Sequence, residues 1–142
     1  MTKTQNIMKR IIKTLFIVAI ILVSSISCKK ISAPNEDAKK IFGQWEYKSN
    51  SGGFSGAGGS SRFCNDCWVE FTEKGCFIVY EGDNKTSKKK FKIEMKESIY
   101  NANQRPALVY KNGGYETYQI IGDTLLLSDE TYDGYSYSFV RK

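Results

Sequence analysis

The chain has 142 residues, of which 41% are hydrophobic and 25% charged, and this length and composition fit a single folded domain. It contains no histidine, which excludes metal sites and catalytic triads built on imidazole. The formal net charge is +6, but four of the 21 basic residues and none of the 15 acidic residues lie within the first 27 positions. Residues 28–142 therefore carry 17 basic and 15 acidic groups, and this small surplus argues against nucleic acid as a partner.

The first 27 residues have the pattern of an export leader. A cationic start at positions 9–13 is followed by an uninterrupted apolar run at positions 15–23. That run is shorter than the roughly 20 residues of a transmembrane helix, so we interpret residues 1–27 as a signal peptide. Met8 begins the same pattern as well as Met1 does, and the sequence leaves open which of the two is the true start.

The leader ends in a cysteine that predicts a lipid anchor. The segment Ser25-Ile26-Ser27-Cys28 resembles a lipobox, the motif at which bacterial lipoproteins are acylated on the cysteine and cut before it. It departs from the family at Ser25, where most members have leucine. The resemblance implies that Cys28 carries lipid and that a membrane is the first partner of the chain. An ordinary secretory leader with an incidental cysteine is the alternative.

The residues after Cys28 indicate where the anchor lies. Lys29 and Lys30 stand where an acidic residue would retain some lipoproteins at the inner membrane. The resemblance therefore implies an outer-membrane lipoprotein of the cell envelope that faces the periplasm. Residues 28–40 are mostly polar and offer almost nothing to bury, so we expect a flexible tether there and a folded domain over residues 41–142.

From residue 41 onward, short segments rich in Tyr, Phe, Ile and Val alternate with turns that contain Gly, Asn and Asp. This pattern is typical of antiparallel strands in sequential hairpins, and we find no helix in it. We predict an all-β fold, a small antiparallel up-and-down β-barrel of about eight strands, with a small sandwich as the alternative. The predicted strands are 44–49, 67–72, 76–81, 90–96, 107–111, 115–121, 124–128 and 135–141, with one more considered at residues 99 and 100.

Three cysteines remain after Cys28, and an exported protein meets an oxidising compartment. A turn at residues 73–74 would place Cys76 opposite Phe71, about 13 Å from Cys67, which is too far for a disulfide. We therefore predict a Cys64–Cys67 disulfide and a buried free thiol at Cys76 that faces Val69 and Phe71. Thiol exchange is disfavoured because the Cys-x-x-Cys spacing leads into a strand, and zinc lacks a fourth ligand.

Carboxylate chemistry is the remaining route to an enzyme. Asp66 with Glu70, or Asp129 with Glu130, would be the candidate acid pairs. Such residues usually lie at turns and on solvated faces, so we predict no enzymatic activity, no catalytic residues and no cofactor.

The two ends of the predicted barrel carry a family signature. Gly43-Gln44-Trp45 opens the first strand and Arg141 closes the last. In these positions the domain resembles the lipocalin-like domain of Gram-negative bacterial lipoproteins, whose closing arginine lies on the tryptophan ring at the closed end. A guanidinium over an indole gains about 0.5 to 2 kcal/mol. The resemblance covers residues 41–142 and implies that a small apolar ligand binds at the barrel mouth.

The resemblance also implies that the glycine-rich loop 50–62 folds over the mouth, although a linker that contacts nothing is equally open. The candidate ligand contacts are Phe54, Trp68, Tyr80, Tyr135 and Tyr137. A folded part of about 100 residues makes a small interior, so a filled barrel that serves as a structural or protein-binding module is the alternative. The side chains predicted to point inward are Trp45, Tyr47, Val69, Phe71, Ile78, Tyr80, Phe91, Ile93, Tyr135, Tyr137 and Phe139.

Overall fold

The computed structural model describes residues 30–53 and 62–142. In these ranges the chain forms eight strands and one short helix, and the strands hydrogen-bond in sequence order into a closed antiparallel barrel. The predicted all-β fold, an eight-stranded up-and-down barrel, is confirmed. The helix is α1 (Glu36–Lys39), and the strands are β1 (Gly43–Gly52), β2 (Cys67–Thr72), β3 (Cys76–Glu81), β4 (Asn84–Glu97), β5 (Gln104–Tyr110), β6 (Tyr115–Ile121), β7 (Thr124–Asp129) and β8 (Tyr135–Arg141).

The barrel closes because β8 returns to pair with β1, from Trp45 opposite Arg141 to Gly52 opposite Tyr135. Closure gives every strand two hydrogen-bonded neighbours and leaves no edge strand open to other chains. The start of β1 and the end of β8 lie at one end, the base, together with α1 and the β2–β3 turn. The end of β1, the start of β2 and the β7–β8 turn lie at the opposite end, the mouth.

Strand positions follow the sequence pattern closely, and the differences have local causes. β4 begins six residues earlier than predicted, at Asn84, and β5 begins at Gln104 and contains Pro106. Residues 104–106 pair only with β4, whereas pairing with β6 starts at Ala107, so the missing N–H of proline costs no hydrogen bond to β6. The strand considered at residues 99 and 100 is a turn instead.

The core is one continuous cluster inside the barrel to which every strand contributes. Its largest fully buried side chains include Trp45, Phe71 and Phe139. The cluster residues on the strands are Trp45, Tyr47, Cys67, Val69, Phe71, Phe77, Phe91, Ile93, Leu108, Tyr118, Leu125, Leu127, Tyr137 and Phe139.

The predicted facing of β3 is wrong. The turn contains three residues, 73–75, so Cys76 stands opposite Thr72 and Phe77 stands opposite Phe71. Because successive strand residues point to opposite faces, this shift of one residue places Phe77 inside, where its ring stacks on Phe71 at 4.8 Å. Ile78 and Tyr80, which were predicted to fill the interior, lie on the outer face. The free thiol of Cys76 is buried as predicted, but it lies on the outer face rather than against Val69 and Phe71.

Part of the segment expected to be a flexible tether packs on the barrel. The backbone N–H of Ile31 donates to the Glu73 carbonyl at 2.8 Å, and Ala38 is fully buried. Asn35 caps α1, and the Tyr118 hydroxyl donates to the Ala38 carbonyl at 2.7 Å. Ala38 and α1 thus cover the base, and Ile31 packs beside the β2–β3 turn. Among the described residues, no helix has the length and hydropathy of a transmembrane span.

Trp45 and Arg141 hold the base together. The Arg141 guanidinium lies 4.0 Å from the centroid of the Trp45 ring, which is the contact that the sequence predicts. The Trp45 indole N–H donates to the Ile41 carbonyl at 2.7 Å, and Arg141 donates to the carbonyls of Lys40 at 2.6 Å and Phe42 at 3.3 Å. The pair therefore ties the first strand, the last strand and the segment after α1 to one another.

Arg141→Ala and Trp45→Phe should be strongly non-additive in a double-mutant cycle. Arg141→Ala removes the cation and Trp45→Phe replaces the indole with the weaker π face of a phenyl ring, so we expect a coupling energy of about 0.5 to 2 kcal/mol in the free energy of unfolding. Urea denaturation of the wild type, the two single variants and the double variant measures it. Additive effects would mean that Arg141 stabilises the base through the two carbonyls alone.

Candidate functional site

The mouth contains two side chains that enter from the loop between β1 and β2. Phe63 is only 5% exposed and belongs to the core cluster. Its ring lies 5.1 Å from that of Tyr137, 5.2 Å from that of Phe139 and 5.5 Å from that of Tyr47, measured between centroids. The rings of Tyr137 and Phe139 meet that of Phe63 edge to face, an arrangement that is favourable beyond the area that it buries. Phe63 thus occupies the interior just below the mouth.

Arg62 lies directly above Phe63 and binds two carboxylates. Its guanidinium forms an ion pair with Glu116 and lies 3.6 Å from an oxygen of Asp129. It also lies over the Tyr137 ring at 4.5 Å and over the Phe63 ring at 4.8 Å. The Glu116 side chain is 7% exposed and that of Arg62 is 34% exposed, so the pair spans the boundary between the interior and solvent.

The two carboxylates are fixed by register and by tyrosines. Glu116 on β6 stands opposite Asp129 on β7, so both side chains point into the barrel. The Tyr110 hydroxyl donates to Glu116, and the Tyr137 hydroxyl donates to Asp129 at 3.3 Å. The backbone N–H of Tyr135 also donates to Asp129, at 3.3 Å. These hydrogen bonds and the two ion pairs form one network, which we call the mouth network: Arg62, Tyr110, Glu116, Asp129 and Tyr137.

Burial dominates the electrostatics of the mouth network. Burial raises the pKa of Glu116 above its ordinary value, and Arg62 opposes that shift without cancelling it. Burial alone would lower the pKa of Arg62, but the adjacent Glu116 and Asp129 raise it overall. Burial also raises the pKa of Tyr137 to about 12. The network therefore places the Arg62 guanidinium against a buried carboxyl group, and its groups already bind one another.

The loop return is pinned by a disulfide immediately after Phe63. Cys64 and Cys67 are joined, with Cα atoms 5.0 Å apart, and this pair is the one predicted from the sequence. The short ring fixes the chain where it turns into β2, so residues 62 and 63 reach the mouth from a defined direction. Asn50 at the end of β1 accepts from the Tyr47 hydroxyl at 2.6 Å, and its buried amide nitrogen has no hydrogen-bond partner among the described residues.

The predicted ligand contacts do not form one site. Tyr137 lies inside the barrel and Tyr135 is half-buried beside it at the mouth. Trp68 and Tyr80 lie on the outer face, where their rings stack on each other at 3.8 Å, so they do not line the mouth. The one-residue shift in β3 accounts for Tyr80, and alternation within β2 accounts for Trp68, because Cys67 and Val69 face inward. Phe54 lies outside the described residues.

Sequence reasoning missed the mouth network, although one signal was present. Glu116 alternates with Tyr118 and Ile120 on the inward face of β6, and a glutamate in such a position demands a buried partner. Arg62 and Phe63 adjoin Cys64 at the end of the glycine-rich loop, but nothing local indicates that they enter the barrel. Only the fold brings Arg62 and Glu116 together.

The candidate acid pairs are separated by the strands. Asp129 points into the mouth, whereas Glu130 accepts from the Thr117 hydroxyl and from the Ile99 backbone N–H outside the barrel. Asp66 is exposed, and Glu70 accepts from the Tyr80 hydroxyl at 3.3 Å on the outer face. In the part of the chain that the structure describes, no cluster of acidic and cysteine side chains has the arrangement of a metal site.

Three cavities bounded by described residues lie outside the mouth. One of 370 Å³ lies at the base between α1 and β5–β6, and one of 630 Å³ lies on the outer face of β2–β3 beside Cys76. The third, of 510 Å³, lies on the outer face of β4–β5 beside Ile31 and is bordered by four lysines.

The fold places the chain in the class of closed eight-stranded antiparallel barrels. No protein-family model matches the chain, and no curated protein is similar to it. The function of the chain is therefore inferred from the residues of the chain itself.

Glu116→Gln should change the pH dependence of stability in the weakly acidic range. Burial raises the folded-state pKa of Glu116, so the folded protein binds this proton more tightly than the unfolded chain does. The stability from Glu116 is thus greatest below the unfolded pKa of about 4.3 and falls as the pH rises through the folded pKa. Urea denaturation between about pH 4 and 7 should show wild type losing stability relative to Glu116→Gln.

Glu94→Gln is the matched control, because it removes one carboxylate that pairs with Lys96 on the outer face. If wild type instead gains stability relative to Glu116→Gln as the pH rises, the ion pair with Arg62 outweighs burial at this carboxyl.

Proposed function

We propose that this chain is an outer-membrane lipoprotein, anchored by lipid on Cys28, whose lipocalin-like barrel is a packed scaffold that meets its partners with its outer surface. The main support for the scaffold function is that the mouth is occupied. Phe63 fills the interior there, and Arg62 lies above Phe63 and pairs with Glu116. The leader and the lipobox-like segment before Cys28 support the lipid anchor. Lys29 and Lys30 after the cysteine favour the outer membrane and the periplasmic side.

The occupied mouth disfavours a carrier of small apolar ligands. A ligand would have to displace Phe63, whose burial is worth about 1.5 to 3 kcal/mol, and strip Glu116 of its cation. An unpaired buried carboxylate adds a further cost of about 3 kcal/mol or more. An opening cost of only 3 kcal/mol already lowers the apparent affinity of any ligand roughly 100-fold. Among the described residues at the mouth, Arg62, Glu116 and Asp129 are charged, and they would not repay that cost to an apolar molecule.

The outer surface has a feature that suits a protein partner. Trp68 and Tyr80 stack face to face across β2 and β3, and the Lys142 ammonium lies 4.1 Å from the Trp68 ring. The Trp68 indole N–H donates to the Gly82 carbonyl at 2.8 Å, which fixes the ring. Rigid, half-exposed aromatic side chains of this kind are enriched at the centres of protein interfaces. An envelope protein is the partner class that this surface fits.

Wild-type protein should bind an apolar fluorescent probe, such as an arylnaphthylamine, only weakly, and Phe63→Ala should bind it about tenfold or more tightly. The substitution removes the phenyl ring from the interior and leaves a cavity of that size. Fluorescence titration measures both affinities, and Phe63→Leu provides a milder change if the alanine variant does not fold. Tyr132→Ala, which removes a side chain that is 93% exposed, is the control.

Tight binding of the probe by wild type, with no gain in Phe63→Ala, would overturn the scaffold function and support a carrier. Binding by the Tyr132→Ala control at the level of Phe63→Ala would show that the probe binds elsewhere.

Cells that express the chain and are fed radiolabelled fatty acid should incorporate the label into it, and Cys28→Ala should abolish incorporation. Cys76→Ala is the matched control, because that cysteine is buried in the folded barrel and outside the lipobox-like segment. Wild type without label would remove the lipoprotein part of the proposal and leave the barrel as a soluble scaffold.

A further inference from the structure

We infer that the lysine face of the barrel, formed by Lys74, Lys90, Lys92 and Lys111, lies against anionic phospholipid headgroups of the membrane that holds the lipid anchor. The inference rests on the lipid on Cys28 proposed above. It adds the orientation of the barrel and the chemistry of the surface that it touches.

The first observation is that the segment after Cys28 meets the barrel at the β2–β3 turn. Ile31 hydrogen-bonds to Glu73 in the β2–β3 turn, and its side chain packs close to Gly75. Three residues of extended chain reach at most about 11 Å, so the Cα of Cys28 stays within that distance of Ile31. Lipid chains that insert from Cys28 therefore hold this part of the surface at the membrane.

The second observation is that the lysines surround the same point. Ile31 lines the 510 Å³ cavity on the outer face of β4–β5, together with Lys74, Lys90, Lys92 and Lys111. All four lysines are exposed. Lys90 and Lys92 project from the outer face of β4, and Lys74 comes from the turn that binds Ile31. The lysine face is thus next to the anchor and open to solvent.

The third observation is that none of the described acidic side chains neutralises this charge. Two acidic residues lie nearby, but Glu73 pairs with Lys30 and Glu94 pairs with Lys96 at 3.0 Å. None of the four lysines forms an ion pair with another described residue. A chain with a net charge of only +2 beyond the leader has therefore gathered uncompensated positive charge beside its anchor. Lysines close to an anionic bilayer are attracted to it over about a Debye length of 8 Å.

Lysine footprinting on the lipidated protein tests the contact. Protein purified from membranes is reconstituted into vesicles of phosphatidylcholine alone or with phosphatidylglycerol, acetylated briefly, and mapped by mass spectrometry. We expect the four lysines to react more slowly only in the vesicles with phosphatidylglycerol, and the protection to disappear at high salt. Lys85 on β4 and Lys48 on β1, which lie away from the cavity, should react equally in both.

Two double variants distinguish the effect of the lysine face from the effect of net charge. Lys90→Gln with Lys92→Gln should shift the equilibrium away from the docked state about 25-fold, at roughly fivefold per lysine, and expose Lys74 and Lys111 to the reagent. Lys48→Gln with Lys85→Gln removes the same charge and should leave the protection of Lys74 and Lys111 intact. Loss of protection in both variants would mean that net charge, not the lysine face, sets the orientation.

Failure of the lipid anchor can be told apart from failure of the lysine face. If the intact mass of the purified protein shows no lipid, the proposed anchor is wrong before any vesicle experiment is done. Lipidated protein whose four lysines react equally in both kinds of vesicle would overturn the lysine face alone. Protection that excess glycerol phosphate removes would overturn it too, because it would indicate a discrete phosphate pocket instead of a bilayer surface.

Discussion

The pairing of β8 with β1 is the constraint on which the rest of the molecule depends. Once the sheet closes, each side chain on a strand points either into a small fixed interior or outward, and the interior cannot adapt by opening an edge. Arg141 on Trp45 fastens this closure at the base, and α1 covers the same end. Near the mouth, Phe63 occupies the interior and packs against the rings of Tyr137 and Phe139.

The contents of the mouth follow from one buried carboxylate. Glu116 faces inward because alternation on β6 leaves it no other direction, and a carboxylate there is costly without a cation and hydrogen bonds. Arg62 and Tyr110 supply both, and Arg62 reaches Glu116 because residues 62 and 63 lie at the mouth. Phe63 follows Arg62 into the barrel, and the Cys64–Cys67 disulfide limits other paths for the chain. The ion pair of Arg62 with Glu116 and the burial of the Phe63 ring thus favour the same position of residues 62 and 63.

Alternation and turn residues allowed the strand order and most strand limits to be predicted, because these depend on neighbours in sequence. The contact of Arg141 with Trp45 was instead implied by the resemblance to lipocalin-like domains. The face of β3 was not predictable from alternation and turn residues, since a turn of three residues instead of two reverses the facing of every side chain in β3. The contact of Arg62 with Glu116 spans 54 positions and depends on the loop path, which sequence spacing does not encode. Ile31 and Ala38 were missed because isolated small apolar residues give no periodic signal.

The packing of residues 30–40 changes what an anchor at Cys28 would do. A long flexible tether would let the barrel turn freely above a membrane, so that no face would be favoured. Here Ile31 is already fixed to the β2–β3 turn, and only two residues separate it from Cys28. A short connection restricts the barrel to orientations that bring the β2–β3 turn close to the bilayer, and the charge of the lysine face then selects among them. Because Phe63 and Arg62 occupy the mouth, we propose that recognition by this molecule takes place at these outward-facing groups.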